Sequence, residues 1–459
     1  MKDPKNKVPS KIKDELKEIG LWDVVSRNLF RITWYNEPKD KGGLFRDLPN
    51  YMEMPPELTG IEARVIALVG KWFPTGAHKV GATFGCLVPP LVTGQFDPTF
   101  HKAVWPSTGN YCRGGAYDAS LLACESIAIL PEEMSQERFD WLNTVAGEII
   151  KTPGSESNVK EIYDEVARLK ATRENVFVFN QFSEFGNYLF HYDVTGHAME
   201  DVLQKELGND KYRGVCLTTG SAGTLGCGDY MKQLYPTSKI AAGEAVQCPT
   251  LWINGYGAHR IEGIGDKHVP WIHNVHNTDM IIAIDDNDPM NLIRLFNEPE
   301  GHKYLINDIG LSEEFVSQLE LLGISSVANL LMSIKFAKYF ELTKNDVILT
   351  VFTDSMEMYQ SRLKEARTAN GPYTERVAIK DYYGHLMGMK TDAMIELDHY
   401  DKKRVHHLKY YTWIEQQGYS LDELNRQWYE HDQYFGNVQQ MTPKIDKLIG
   451  EFNNKVGLI

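Results

Sequence analysis

Between residues 64 and 352, short runs of apolar and β-branched residues recur. Each is separated from the next by a stretch of helical periodicity. Arg64–Val69, Ala103–Pro106, Ser126–Leu130, Val176–Phe179, Gly214–Thr218, Ile240–Glu244, Met280–Ile284 and Asp346–Phe352 read as buried strands. Helical patterns such as Ser135–Thr144, Asn158–Leu169 and Val194–Leu207 lie between them. This alternation predicts α/β layers with mostly parallel sheets flanked by helices. Residues 22–60 carry Trp22, Trp34, Tyr35, Pro49, Pro55 and Pro56 and read as an irregular arm lying on a domain. After about residue 365 the composition shifts toward Tyr, His, Lys and Gln, with helical patches near 404–416 and 421–431.

The chain has 459 residues, 42% of them apolar and 24% charged, which excludes disorder as the main state. The balance of 48 basic against 62 acidic residues gives a net charge of −14. Such a chain is a poor general partner for nucleic acid or an anionic membrane, both of which reward clustered Lys and Arg. No apolar stretch follows the first residues, and no run of about 18 apolar residues occurs, so neither a secretory signal nor a transmembrane helix is expected. The six cysteines are scattered without a CxxC pair. This predicts reduced thiols in a cytoplasmic protein. His268, His273 and His276 fit no trusted ligand spacing, so no metal is expected.

Three Gly-containing loops follow predicted strands. Thr219-Gly220-Ser221-Ala222-Gly223-Thr224 comes after one strand and before the helical Cys227–Leu234. Small residues, hydroxyls and a helix start make a phosphate cradle without a Lys or Arg. The loop lacks the Gly-Lys-Ser/Thr ending of a P-loop. Pro74-Thr75-Gly76-Ala77-His78-Lys79 sets a lysine at a helix start, where the helix dipole disfavours the cation and so favours a nucleophilic amine. Ser107-Thr108-Gly109-Asn110 gathers hydroxyls, an amide and backbone N–H groups in one turn, which suits a carboxylate or a ring hydroxyl.

Taken in order, these stretches resemble the fold type II family of pyridoxal-phosphate enzymes, and within it cysteine synthase and the cystathionine β-synthase-like enzymes. The likeness includes Leu130-Pro131-Glu132-Glu133-Met134-Ser135-Gln136-Glu137-Arg138, Asn180-Gln181-Phe182-Ser183 followed by His191 and Thr195-Gly196, and His259-Arg260-Ile261-Glu262-Gly263-Ile264-Gly265. The lysine motif is similar to that of the tryptophan synthase β chain. Tyr111-Cys112-Arg113-Gly114-Gly115 departs from the usual Thr-Gly after the asparagine.

The resemblance implies pyridoxal 5′-phosphate held by Lys79 as a Schiff base, with the freed amine as general base at Cα. It implies Asn110 on the ring hydroxyl. The phosphate falls to Thr219, Gly220, Ser221, Ala222, Gly223 and Thr224. Gly265 lies against the cofactor, and Ser355 on the pyridine nitrogen is preferred over Asp354. Ser107, Thr108, Gly109 and Gln181 would hold the substrate carboxylate, and Arg113 would read a second anionic group. The implied activity is β-elimination or β-replacement on a serine- or cysteine-like amino acid through an aminoacrylate. The alternatives are a pyridoxal-phosphate β subunit of a two-subunit enzyme, such as an amino-ketoacid thiolase, and a threonine dehydratase- or synthase-like lyase. The implied fold is a two-domain, tryptophan synthase β-like one. Residues 66–85 and 206–365 would form the large domain and 86–205 a small mobile domain. Residues 1–65 would be an N-terminal extension and 366–459 a C-terminal helical one. A homodimer is implied, with a small partner subunit as a possible addition.

Overall fold

The computed structural model describes residues 1–38, 43–107, 109–154 and 158–457. In chain order its strands are Tyr51–Met54 (β1), Arg64–Val69 (β2), Lys102–Pro106 (β3), Ser126–Pro131 (β4), Glu148–Thr152 (β5), Val176–Val178 (β6), Lys211–Thr218 (β7), Lys239–Ala245 (β8), Met280–Ile284 (β9), Asp346–Phe352 (β10) and Met394–Glu396 (β11). They form a seven-stranded sheet in the order β1-β2-β10-β7-β8-β9-β11 and a four-stranded sheet in the order β5-β4-β3-β6.

The pairing explains the composition of the strands. In the large sheet β2, β10, β7, β8 and β9 run parallel, and in the small sheet every pair is parallel. Parallel strands are covered on both faces, so β9 and β10 are buried along their whole length, β9 wholly apolar and β10 apolar but for Asp346 and Thr350. The antiparallel strands β1 and β11 stand at the two edges of the large sheet. Both come from segments read as extensions, so the arm and the tail each complete the sheet rather than only packing on it. The helix Ile324–Tyr339 is buried nearly all round against β10, β7 and β9, its apolar residues interspersed with the buried Ser325, Ser326, Asn329, Ser333 and Lys335.

The small sheet is drawn wholly from residues 102–178. The tail is mostly helical, with His399–Lys409, Leu421–Tyr429, His431–Gln439 and Met441–Lys455. It grips the loop after residue 266. Trp413 Nε1 donates to the Val269 carbonyl at 2.8 Å, and Lys409 Nζ donates to the carbonyls of Trp271 and His273 at 2.9 and 2.7 Å. The arm grips the other side of the molecule. Trp34 Nε1 donates to Thr195 Oγ1 at 3.0 Å, and the Trp34 ring stacks on His78 with centroids 6.0 Å apart. All six cysteines are buried. Among the described residues no single helix is long and apolar enough to cross a membrane.

Candidate active site

The carboxyl ends of β2, β3, β7 and β10 converge on one cleft, the place where parallel α/β sheets receive ligands. After β2 the chain turns through Pro74–Gly76 and enters the helix Lys79–Val92. After β3 it passes Ser107 and Gly109 into the helix Asn110–Leu121. After β7 the loop 219–224 leads into the helix Leu225–Leu234. Thr353 follows β10 directly. Lys79, Ser107, Asn110, Gln181, Gly220 and Ser221 line the cleft together with His78, Tyr111, Phe182, Ile264, Asp266, Ser325 and Thr353.

Lys79 is the hub of a short polar chain. Its Nζ donates to Ser221 Oγ at 2.9 Å and to Gln181 Oε1 at 3.2 Å. Gln181 Nε2 in turn donates to Ser107 Oγ at 3.0 Å. Asn187 Nδ2 donates to Ser221 Oγ at 3.0 Å. The lysine, the cradle and the Ser107 loop are therefore joined by side chains from four separate segments, those that follow β2, β3, β6 and β7. His78 is buried, and desolvation with the neighbouring Lys79 pushes its pKa down to about 3, so its imidazole is neutral.

The cradle is shaped by small residues. A Cβ on Gly223 would collide with the Asn187 side chain. Gly265, at φ +74°, lies on His259 and donates its N–H to the Thr219 carbonyl at 3.0 Å. Ala222 also takes a positive φ, +62°. Thr224 immediately precedes the helix Leu225–Leu234, so that helix directs its free N–H groups at the loop. Two polar atoms point to a missing ligand. Thr219 Oγ1 and Asn110 Oδ1 are buried without a partner among the described residues. A phosphate at the helix start and a ring hydroxyl near Asn110 fit this donor and acceptor set.

Several expected residues stand elsewhere. Thr108 lies outside the described residues. Gly109 packs over the buried Arg138, whose guanidinium occupies the space a Cβ would need. Ser355 is buried and directly precedes the turn Met356–Met358, away from the cleft lining. β10 ends at Phe352, so strand alternation no longer governs residues 353–355. The hydroxyls at that strand end belong to Thr353 and to Ser325, whose oxygens are 2.8 Å apart. Asp354 turns to the protein instead, accepting from Asn110 Nδ2 at 2.6 Å and from Tyr359 Oη at 2.7 Å. Arg113 is buried behind the loop, outside the lining. Its guanidinium sits 4.6 Å from the Trp141 ring and 5.8 Å from Trp22, and burial pushes its pKa down to about 9. The guanidinium thus faces Trp141 and Trp22 and does not belong to the described lining of the cleft.

Residues 74–302 match the sequence model of a family described as pyridoxal-phosphate dependent enzyme. This stretch belongs to that family. The chain is accordingly an enzyme that uses pyridoxal 5′-phosphate. Among curated relatives of the pyridoxal-phosphate family, a cysteine synthase of Staphylococcus aureus is 29% identical over 259 residues, 56% of this chain and 75% of the relative. A cystathionine beta-synthase of Apis mellifera is 31% identical over 301 residues, 64% of this chain and 55% of the relative. Among solved structures, a hydrogen sulfide-producing enzyme of Fusobacterium nucleatum superposes with a TM-score of 0.58 at 22% identity, covering 68% of this chain and 96% of that one. An O-acetylserine dependent cystathionine beta-synthase of Helicobacter pylori gives 0.56 at 22% identity, covering 69% and 94%. Both structures share the fold.

Proposed function

We propose that Lys79 supplies the amine that holds the cofactor aldehyde in this cleft, and that the reaction is β-elimination or β-replacement on a serine- or cysteine-like amino acid. The observation that carries the reading is the Lys79–Ser221 contact, which sets the only lysine of the cleft lining at the mouth of a loop built for phosphate. The cysteine synthase and β-synthase relatives support the substrate class.

Pyridoxal 5′-phosphate, when bound, supplies the electron sink that lets the Cα–H bond ionise. The protein's share is placement and proton handling. Thr219, Gly220, Ser221, Ala222, Gly223 and Thr224 hold the phosphate with N–H groups and hydroxyls, and Gly265 backs that loop. Asn110 Oδ1 is the acceptor for the ring hydroxyl. Thr353 and Ser325 meet the ring nitrogen in place of Ser355. A hydroxyl pair there favours an unprotonated ring, which suits loss of a β substituent better than transamination. Ser107 and Gln181 orient the substrate carboxylate, with Gln181 and Ser107 already bonded to each other. With its amine free, Lys79 would take the Cα proton as general base.

Residues 86–205 carry the whole small sheet, and we assign them as the body that closes over residues 66–85 and 206–365, excluding water from the bound substrate. The working unit is a homodimer of cytoplasmic enzyme. The test is the visible spectrum of the purified protein before and after O-acetylserine, cysteine or serine. A yellow band that moves on addition of one of them supports the reading. A protein that takes up no cofactor overturns it.

A further inference from the structure

We propose that Asp266 is a second acid–base group of this cleft, carrying the proton of the substituent that joins or leaves the β-carbon of the substrate. The inference rests on the reading above and adds a residue to it. Asp266 follows Gly265 and faces the cleft, beside Lys79 and Ser221. Its Oδ2 lies 3.3 Å from the point where a Cβ on Gly220 would stand, so the carboxyl reaches the mouth of the cradle.

The backbone fixes this carboxyl. Thr250 Oγ1 donates to the Asp266 carbonyl at 2.7 Å, and the N–H of Gly265 is tied to Thr219. The carboxylate itself receives no hydrogen bond among the described residues. The other acids near the cleft differ. Asp354 accepts from Asn110 and Tyr359, and Glu262 is paired with Arg138 at 3.0 Å and Arg362 at 2.6 Å. Those two are structural carboxylates, whereas Asp266 is held in place with its oxygens unspent.

The chemistry leaves room for such a group. Lys79 acts at Cα, and the substituent on Cβ has a proton of its own. In replacement, after the first substituent has left, the sulfur or oxygen of a thiol or water bonds to the unsaturated β-carbon, the carbon–carbon π pair moves to Cα, and the proton of the nucleophile passes to the Asp266 carboxylate. In elimination, the carbon–sulfur or carbon–oxygen bond breaks, its electron pair leaves with the heteroatom, and the Asp266 carboxylic acid returns the proton. Burial raises the Asp266 pKa to about 7 and Lys79 opposes the rise, which lets both forms exist near neutrality. Tyr163, Cys248 and His268 face the same loop. Burial pushes the first two up and His268 down to about 3, so all three are neutral there and Lys79 is the charge Asp266 feels.

The test compares wild type with Asp266→Asn and Asp266→Glu, each first shown to keep the cofactor band and the melting temperature. The substrate is whichever of O-acetylserine with sulfide, cysteine or serine is turned over. Asp266→Asn is expected to keep exchange of the Cα hydrogen with deuterated water, read by proton NMR, while β-product formation falls by about 100-fold. Asp266→Glu restores part of it. A carboxyl NMR titration of the apoprotein should lose one midpoint near 7 in Asp266→Asn. A variant that turns over like wild type with an unchanged pH profile, or one that loses Cα exchange together with product, overturns the role of Asp266. A wild type that neither takes up the cofactor nor exchanges the Cα hydrogen overturns the reading beneath it.

Discussion

Lys79 Nζ stands 2.9 Å from Ser221 Oγ, so the amine of one loop rests on the hydroxyl of another. Lys79→Ala is expected to abolish the visible cofactor band and to lower turnover by at least about 100-fold, the range for loss of a general base. Absorption spectroscopy and a coupled product assay check both. Retained activity would remove Lys79 as the base.

Gly223 packs where any Cβ meets Asn187, the residue that also holds Ser221. Gly223→Ala should push this loop out of shape at a cost of about 1–3 kcal/mol. Cofactor titration of the apoprotein is expected to give roughly tenfold weaker binding or worse, with the overall helix content unchanged by circular dichroism.

Glu262 joins two arginines, with Arg138 fully buried. Glu262→Gln leaves that guanidinium without its carboxylate, and about 3–5 kcal/mol of stability should be lost. A denaturant melt measures it. A loss below about 1 kcal/mol would mean that the other partners of Arg138, Tyr359 among them, hold it without the carboxylate.

Stability should peak near pH 6.5. His78, His268, His273 and His406 are buried and pushed down to about 3, from 6.5. Below pH 6.5 the unfolded chain binds protons that the folded one refuses, so their stabilisation is lost as pH falls toward 3. Glu184, Glu244 and Asp266 are raised by burial to about 7, 8 and 7. Their folded forms hold protons that the unfolded chain gives up, so their stabilisation is lost as pH rises from about 4.5 toward 8. Between 4.5 and 6.5 the two sets oppose each other, and beyond that window each limb stands alone. Melting temperatures from pH 3.5 to 8.5 test this, and Glu244→Gln should flatten the alkaline limb.

The sequence disclosed the strands that are buried on both faces. Met280–Ile284 and Asp346–Phe352 coincide with runs that are apolar but for Asp346 at the strand start and Thr350, because both faces of these strands are buried. It hid β1, β5 and β11. Glu148–Thr152 is half-exposed and carries charges at both positions 148 and 151, while Met394–Glu396 has only three residues. In the site, the lysine turn and the cradle were legible because glycines and hydroxyls cluster locally. Ser325, Thr353 and Asp266 were not, since a lone hydroxyl or carboxylate has no signature until distant loops meet. Thr353 is two residues from the expected Ser355, and both follow the strand end at Phe352 that the sequence also indicated.

The grip of Trp413 and Lys409 on residues 269–273 also sets a timetable. A ribosome delivers these side chains after every strand of both sheets, the short edge strand β11 included. At about 5–20 residues per second, the wall bearing Asp266 waits several seconds for its fastening after β9 has emerged. A nascent chain stalled near residue 400 would thus display a nearly finished fold around an unfinished catalyst, and release from the ribosome would be the moment at which it becomes an enzyme.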